Sequence, residues 1–112
     1  MDPLLREELD HLTSRMCRAL NDPKRLMLLY LLGQGPRTVS ELCEELEASQ
    51  SNVSQHLAVL RDRGLVGAQR DGTYVRYRLR HPRVLEAIEL LREVMAEELD
   101  RQRLFSKTEI GA

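Results

Sequence analysis

Residues 49–66 read SQSNVSQHLAVLRDRGLV, and they decide the fold. Val53, Leu57 and Leu60 recur at helical spacing, which predicts a helix from near Ser49 or Gln50 to Arg63. Gly64 supplies a left-handed stop. The opposite face opens with Ser49, Gln50, Ser51, Asn52, Ser54 and Gln55, short polar side chains gathered at the N-terminal end. A helix entering the major groove of DNA, about 12 Å wide, needs this division into apolar back and polar front. Gln and Asn can pair with adenine edges, and Ser can donate to or accept from bases or phosphates. Helix N-terminal amides also favour phosphate. Each residue alone is equally an ordinary cap or solvated surface. The ordered set is what points to a nucleic-acid front.

Upstream, Thr38-x-x-Glu41 is a capping box that starts a short helix over Val39–Leu46, with Val39, Leu42, Cys43 and Leu46 facing inward. Ala48 to Ser51 connect it tightly to the next helix. Gly35-Pro36 is a turn, and the run RLMLLYLL before it, ending at Gly33, is apolar nearly all round and so central and buried. Asp22 caps that helix, with Pro23 in its first position. Leu5, Leu9, Leu12 and Met16 place a first helix over residues 3–20.

Downstream of Gly64 the period changes from helical to two. Leu65–Arg70 is a short strand, Asp71-Gly72 a hairpin signal, and Thr73–Leu79 a second strand. Val75, Tyr77 and Leu79 share one face of it, and Tyr74, Arg76 and Arg78 the other. His81-Pro82 opens a last long helix striped by Leu85, Ile88, Leu91, Met95 and Leu99. Two short helices on a tight turn followed by a basic hairpin make a helix-turn-helix with a wing. The expected fold is mostly α with a small β-hairpin, a winged helix-turn-helix in the order α-α-α-α-β-β-α. Residues 1–105 are expected to form one domain, and residues 106–112 a frayed tail.

The charge pattern supports this reading, although the net charge of −1 alone argues against a nucleic-acid binder. Residues 1–48 hold 6 basic against 9 acidic side chains, residues 49–83 hold 7 against 2, and residues 84–112 hold 4 against 7. A basic middle between acidic ends can present one positive face. Arg70, Arg76 and Arg78 bracket the hairpin turn, with Thr73 in it, and can reach phosphates or a narrow minor groove. Arg61, Arg63 and Lys24 are candidates for backbone contacts.

Other classes find little support. The chain has no Ser-His-Asp spacing, Gly-rich phosphate loop or evident carboxylate pair, so neither enzyme activity nor a cofactor is expected. No apolar run approaches the ~20 residues of a membrane span. The opening MDPLLREELD lacks a secretory stretch, and a cytoplasmic location is expected.

The stretches ALNDPKRLMLLYLL, TVSELCEEL, SQSNVSQHLAVLRDRGLV and RDGTYVRYRL together resemble the ArsR/SmtB family of bacterial repressors, over roughly residues 15–100. SQSNVSQHL followed by LRDRGLV is the most specific part. The resemblance implies a homodimer through the first and last helices, bound to double-stranded DNA at an imperfect inverted repeat and released by an inducer. It assigns Ser51, Asn52, Ser54, Gln55 and His56 to the recognition helix.

Many members of that family sense metals. The positions that would carry a Cys-x-Cys pair at the start of the third helix are Thr38 and Ser40 here. Those that would carry Asp, His, His and Glu on the last helix are His81, Arg83, Val94 and Glu97. Neither set can make a four-ligand zinc site, so no metal is expected. His11 beside Glu7 and Glu8 reads as a surface ion pair. Cys17 and Cys43 lie far apart, in no metal-binding or disulfide spacing. They read as small packed hydrophobes, or else as sensor thiols open to oxidation, persulfidation or a soft ligand such as arsenite. The expected function is a DNA-binding repressor without the standard metal sites, responsive to thiol chemistry or a small ligand. The alternatives are a metal(loid)-responsive repressor with a non-standard Cys17/Cys43 site, and a winged helix that binds protein. Against the last, the wing keeps its arginines and the front holds no acid before Asp62.

Overall fold

The computed structural model describes residues 1–111, with side chains through residue 104. The chain divides into residues 1–82 and the helix from Arg83 onward, each taken by itself below.

Helix α1, Pro3–His11, starts on Asp2, whose carboxylate accepts the Leu4 and Leu5 backbone N–H groups. It does not continue as one α-helix to residue 20, as its apolar spacing predicts. Leu12–Cys17 form a π-helical stretch instead. Within this stretch the Thr13 Oγ1 donates back to the Leu9 and Asp10 carbonyls at 3.1 and 3.0 Å. Such back-bonding competes with the regular ladder.

Helix α2, Pro23–Gly33, is capped by Asp22, which accepts from the Lys24 and Arg25 N–H groups at 2.8 and 3.2 Å. Leu28, Leu29 and Leu32 are buried, but Met27 is 50% exposed. The helix is therefore not sunk on all sides as RLMLLYLL suggests. Met27 lies on the rim of a groove that also takes in Lys24, Leu46 and Asn52.

Strand β1, Arg37–Thr38, leads into α3, Val39–Leu46. The Thr38–Glu41 capping box is formed in both directions, at 3.1 and 3.2 Å. Leu42 is buried, while Val39, Cys43 and Leu46 are half-buried. Glu47 ends the helix at φ 51 with no glycine to ease it. The left-handed turn lets the Ala48 N–H reach the Cys43 carbonyl at 3.2 Å, at a steric cost of roughly 1–2 kcal/mol for a residue with a Cβ.

Helix α4, Gln50–Asp62, begins on Ser49, whose Oγ accepts the Asn52 N–H. It ends where Gly64 predicts. Gly64 takes φ +76, its N–H donates to the Arg61 carbonyl at 3.0 Å, and the Leu65 N–H donates to Leu60 at 2.9 Å. These paired bonds satisfy the carbonyls that a helix end leaves open.

Strands β2, Val66–Asp71, and β3, Tyr74–Leu79, pair antiparallel, and β1 adds to the far side of β3. The sheet thus has three strands where the sequence suggests two. Arg37–Thr38 is too short to show a period and exists as a strand by pairing with Tyr77 and Arg76. Because Asp71 pairs with Tyr74, the hairpin loop is Gly72-Thr73, one residue later than the Asp71-Gly72 signal. Gly72 at φ +64, with no positive φ at Thr73, matches a type II′ turn.

In residues 1–82 the core forms where α2, α3 and α4 meet each other and the sheet. Leu28, Leu42, Leu57, Leu60 and Leu65 are at most 1% exposed. Burying each contributes about 1.5–3 kcal/mol. Together they anchor α4 on the core. Helix α5, Arg83–Gly111, carries Arg92–Glu89 and Arg101–Glu98 pairs one turn apart and leaves Leu91, Val94 and Met95 well exposed. Residues 106–112, expected as a frayed tail, lie outside the described side chains. Among the described residues no helix is long and apolar enough to cross a membrane.

Candidate nucleic-acid interface

Burial of Val53, Leu57 and Leu60 turns the other side of α4 outward. Gln50, Ser51, Ser54, Gln55 and Arg61 are exposed there. Ala58 is exposed too. Residues 51, 54, 55, 58 and 61 are linked by steps of three or four (51 to 54 and 55, 54 and 55 to 58, 58 to 61), which is one helical face. Sequence reading passed over Ala58, although the spacing from Ser54 to Arg61 marks it. A methyl at the middle of the face suits contact with a thymine methyl.

Tyr77 was also missed. A concavity of about 330 Å³ lies between α4 and β3, lined by Ser54, Ala58, Arg61, Asp62 and Tyr77 with Leu57 beneath. The alternation of β3 carried the signal, since the pairing puts Tyr77 on the same face as Ala68 and Arg70. Arg70 is therefore on the α4 side of the wing. Arg76 and Arg78 are on the opposite face, with Tyr74.

The pairing thus splits the wing arginines between the two faces, although all three border one concavity. Arg76 is held at the foot of the wing: its Nε donates to Asp71 at 3.3 Å, and its Nη1 lies 3.7 Å from Glu41. Arg70 and Arg78 are exposed, as is Thr73 in the loop. A second concavity of about 310 Å³ takes in Pro36, Gln69 and these arginines.

Two predicted front residues face elsewhere. The Asn52 Oδ1 accepts from the Lys24 Nζ at 3.0 Å, tying the start of α4 to the start of α2. The His56 side chain is only 16% exposed and turned inward, its Nδ1 3.3 Å from an Arg25 Nη1 and its Nε2 3.9 Å from Asp22. One turn along the helix separates these two from each other, and neither shares the fully exposed stripe.

Electrostatics reinforce the caps that set this geometry. Burial works to raise the Asp22 carboxyl, but the Arg25 and Lys24 backbone N–H groups outweigh it, with help from the Arg25 charge, and its pKa falls below the ordinary 3.8. The Thr38 backbone and hydroxyl donors lower Glu41, against a small burial effect, and Arg76 and Arg37 add to them. A carboxyl lowered on folding stabilises the fold above its unfolded pKa, and that stability drains away as pH falls through the folded value. Asp22→Ala is therefore expected to cost about 1 kcal/mol near neutrality. In urea unfolding the difference from the wild type should narrow below about pH 4; a gap that stays constant into acid would mean the charge contributes nothing.

Both cysteines are free thiols. Cys17 is exposed, so the packed-hydrophobe reading is left to Cys43, which is half-buried. Among the described residues no three His, Cys, Asp or Glu side chains converge as a metal site.

The profile described as "Bacterial regulatory protein, arsR family" matches residues 22–67, from the α2 cap into β2. A probable mercury resistance operon repressor of Streptomyces lividans is 45% identical over 85 residues, 76% of this chain and 68% of that protein. The structure is similar to the homodimeric winged helix-turn-helix DNA-binding domain Mb0332 of Mycobacterium bovis, with a TM-score of 0.75 and 31% identity over 90% of this chain and 93% of that one. It is also similar to M. tuberculosis Rv0081, with a TM-score of 0.72 and 32% identity over 91% and 98% of the two chains.

Proposed function

Since the chain belongs to the arsR family of bacterial regulatory proteins, we propose that it is a non-catalytic transcriptional repressor of the cytoplasm, binding an inverted-repeat operator as a homodimer. One observation carries the reading: an exposed polar face on α4, braced by a leucine core and flanked by a wing that turns Arg70 toward the same side. Gln50, Ser51, Ser54, Gln55 and Ala58 meet base edges or flanking phosphates. Arg61, Arg70 and Thr73 meet the backbone, and Lys24 holds Asn52 at the groove's edge. Arg76 is a contact only where DNA phosphates displace Asp71 and Glu41 from it. Dimerisation sets two copies of α4 about one helical turn of DNA apart, ~34 Å.

The test is fluorescence anisotropy of reduced, metal-free protein on the DNA upstream of its own gene. Gln55→Ala is expected to weaken specific binding by ~1–3 kcal/mol, and Arg70→Ala to weaken binding to every sequence and lower the salt slope by about one. Parent-like binding by both variants would overturn the docking. A second reading, response to a thiophilic metal or metalloid through Cys17 and Cys43, is favoured by the exposure of Cys17 and by the likeness to a mercury resistance repressor. Repeating the titration with mercuric ion, cadmium, zinc and arsenite tests it, with Cys17→Ser and Cys43→Ser as controls.

A further inference from the structure

The Arg25 guanidinium lies where three helices meet. Its Nε donates to the Ala19 carbonyl at 2.6 Å, and its Nη2 to the Arg18 carbonyl at 3.2 Å. Those carbonyls close the first helical segment, where a helix leaves acceptors open; the Arg18 carbonyl also accepts the Asn21 backbone N–H at 3.2 Å. The third arm, Nη1, points to His56 Nδ1 at 3.3 Å, on α4. The Arg25 backbone N–H meanwhile donates to Asp22, the cap of α2. One side chain thus joins the end of the first segment, the start of α2 and the middle of α4.

The chemistry of the pair fixes its protons. Guanidinium has donors only, so His56 Nδ1 must accept. The neutral ring then carries its proton on Nε2, which faces the Asp22 carboxylate at 3.9 Å. The ring is thereby oriented from both sides and only slightly exposed, a poor position from which to read a base. Its helix neighbour Gln55 is exposed on the front. Rotating α4 enough to break the Arg25–His56 contact carries Gln55 and Ser54 with it, because consecutive residues lie about 100° apart on one rigid cylinder.

We infer that Arg25 and His56 are positioning residues that set the rotation of the recognition helix against the end of the first helical segment, without touching DNA themselves. This rests on the DNA-binding reading above and reassigns His56 from base contact to orienting residue. Lysine cannot replace the arginine. A single ammonium on a flexible stem lacks the planar fork that serves two carbonyls and a ring in one geometry.

The test uses the full chain and two duplexes: one enriched by the wild type from random-sequence DNA, and a shuffled duplex of the same composition. The quantity read is the ratio of the two dissociation constants. Arg25→Lys and His56→Leu are each expected to lower that ratio about tenfold, the scale of one misplaced base contact, while the shuffled-duplex affinity and its salt slope hold. His56→Asn keeps an acceptor near the Nδ1 position and should retain most of the ratio. A merely stabilising role would weaken both duplexes by the same factor and leave the ratio alone. The positioning role is overturned if the wild-type ratio is well above one and Arg25→Lys and His56→Leu both keep it. It is also overturned if His56→Asn loses as much as His56→Leu while Arg25→Lys loses nothing, since His56 would then be a contact. A wild type that enriches no sequence removes the DNA-binding reading and the positioning role with it.

Discussion

Glutamate at both Leu91 and Met95 is expected to turn the protein from a dimer into a monomer and to lower operator affinity by about 10²–10⁴-fold. The two side chains sit one turn apart on α5 and are 66% and 57% exposed, with Val94 beside them at 61% and Leu99 at 44%. A contiguous apolar stripe of this kind marks an interaction surface on a soluble chain. A second copy of the chain is the proposed occupant. Two carboxylates in that interface would lose their water without gaining partners, which costs several kcal/mol. The loss in DNA affinity follows because each monomer then holds one half-site alone. Sedimentation equilibrium should show the mass fall from twice 13.0 kDa to 13.0 kDa, with helical circular dichroism retained. A double variant that still sediments as a dimer would place the interface off this stripe.

The second large effect is on folding. Leu57→Ala is expected to lower stability by about 2–5 kcal/mol, since a Leu at 1% exposure leaves a cavity that its neighbours only partly fill. Against a total of ~5–15 kcal/mol for a small domain, that brings the protein close to unfolding at body temperature. Leu57 also lies beneath the concavity between α4 and Tyr77, so the front should loosen along with the core. Ser54→Ala on the exposed flank should change stability by no more than about 0.5 kcal/mol. Urea unfolding of both variants measures the contrast, and equal midpoints would mean that α4 is not anchored through Leu57.

The contrast between these two residues explains what could be read in advance. The apolar period of Val53, Leu57 and Leu60, the Thr38–Glu41 box and the Gly64 stop are local signals, each set by residues within one turn of helix. The structure places all of them where the sequence does. β1 was not legible because two residues carry no period and the strand depends on pairing with β3, about forty residues away. The π-helical stretch was hidden because the apolar spacing of Leu9, Leu12 and Met16 suits an ordinary helix and marks no change of ladder. Glu47 carries no mark of its left-handed turn, since glycine is the usual sign of one. At the candidate interface, Gln55 and Arg61 could be placed from spacing alone. The inward turn of His56 could not, because it depends on Arg25, thirty-one positions earlier.

The bond from Lys24 to Asn52 leaves its mark on how the front is held rather than on what the front touches. An asparagine oxygen has two lone pairs, and the lysine ammonium takes one of them at 3.0 Å. The bond spans 28 positions of sequence and joins the first turns of α2 and α4, so it works as a latch between the two helices. Where DNA binds as proposed, a phosphate that drew Lys24 away would open the latch, and the start of α4 would then hang on its Ser49 cap and its core contacts.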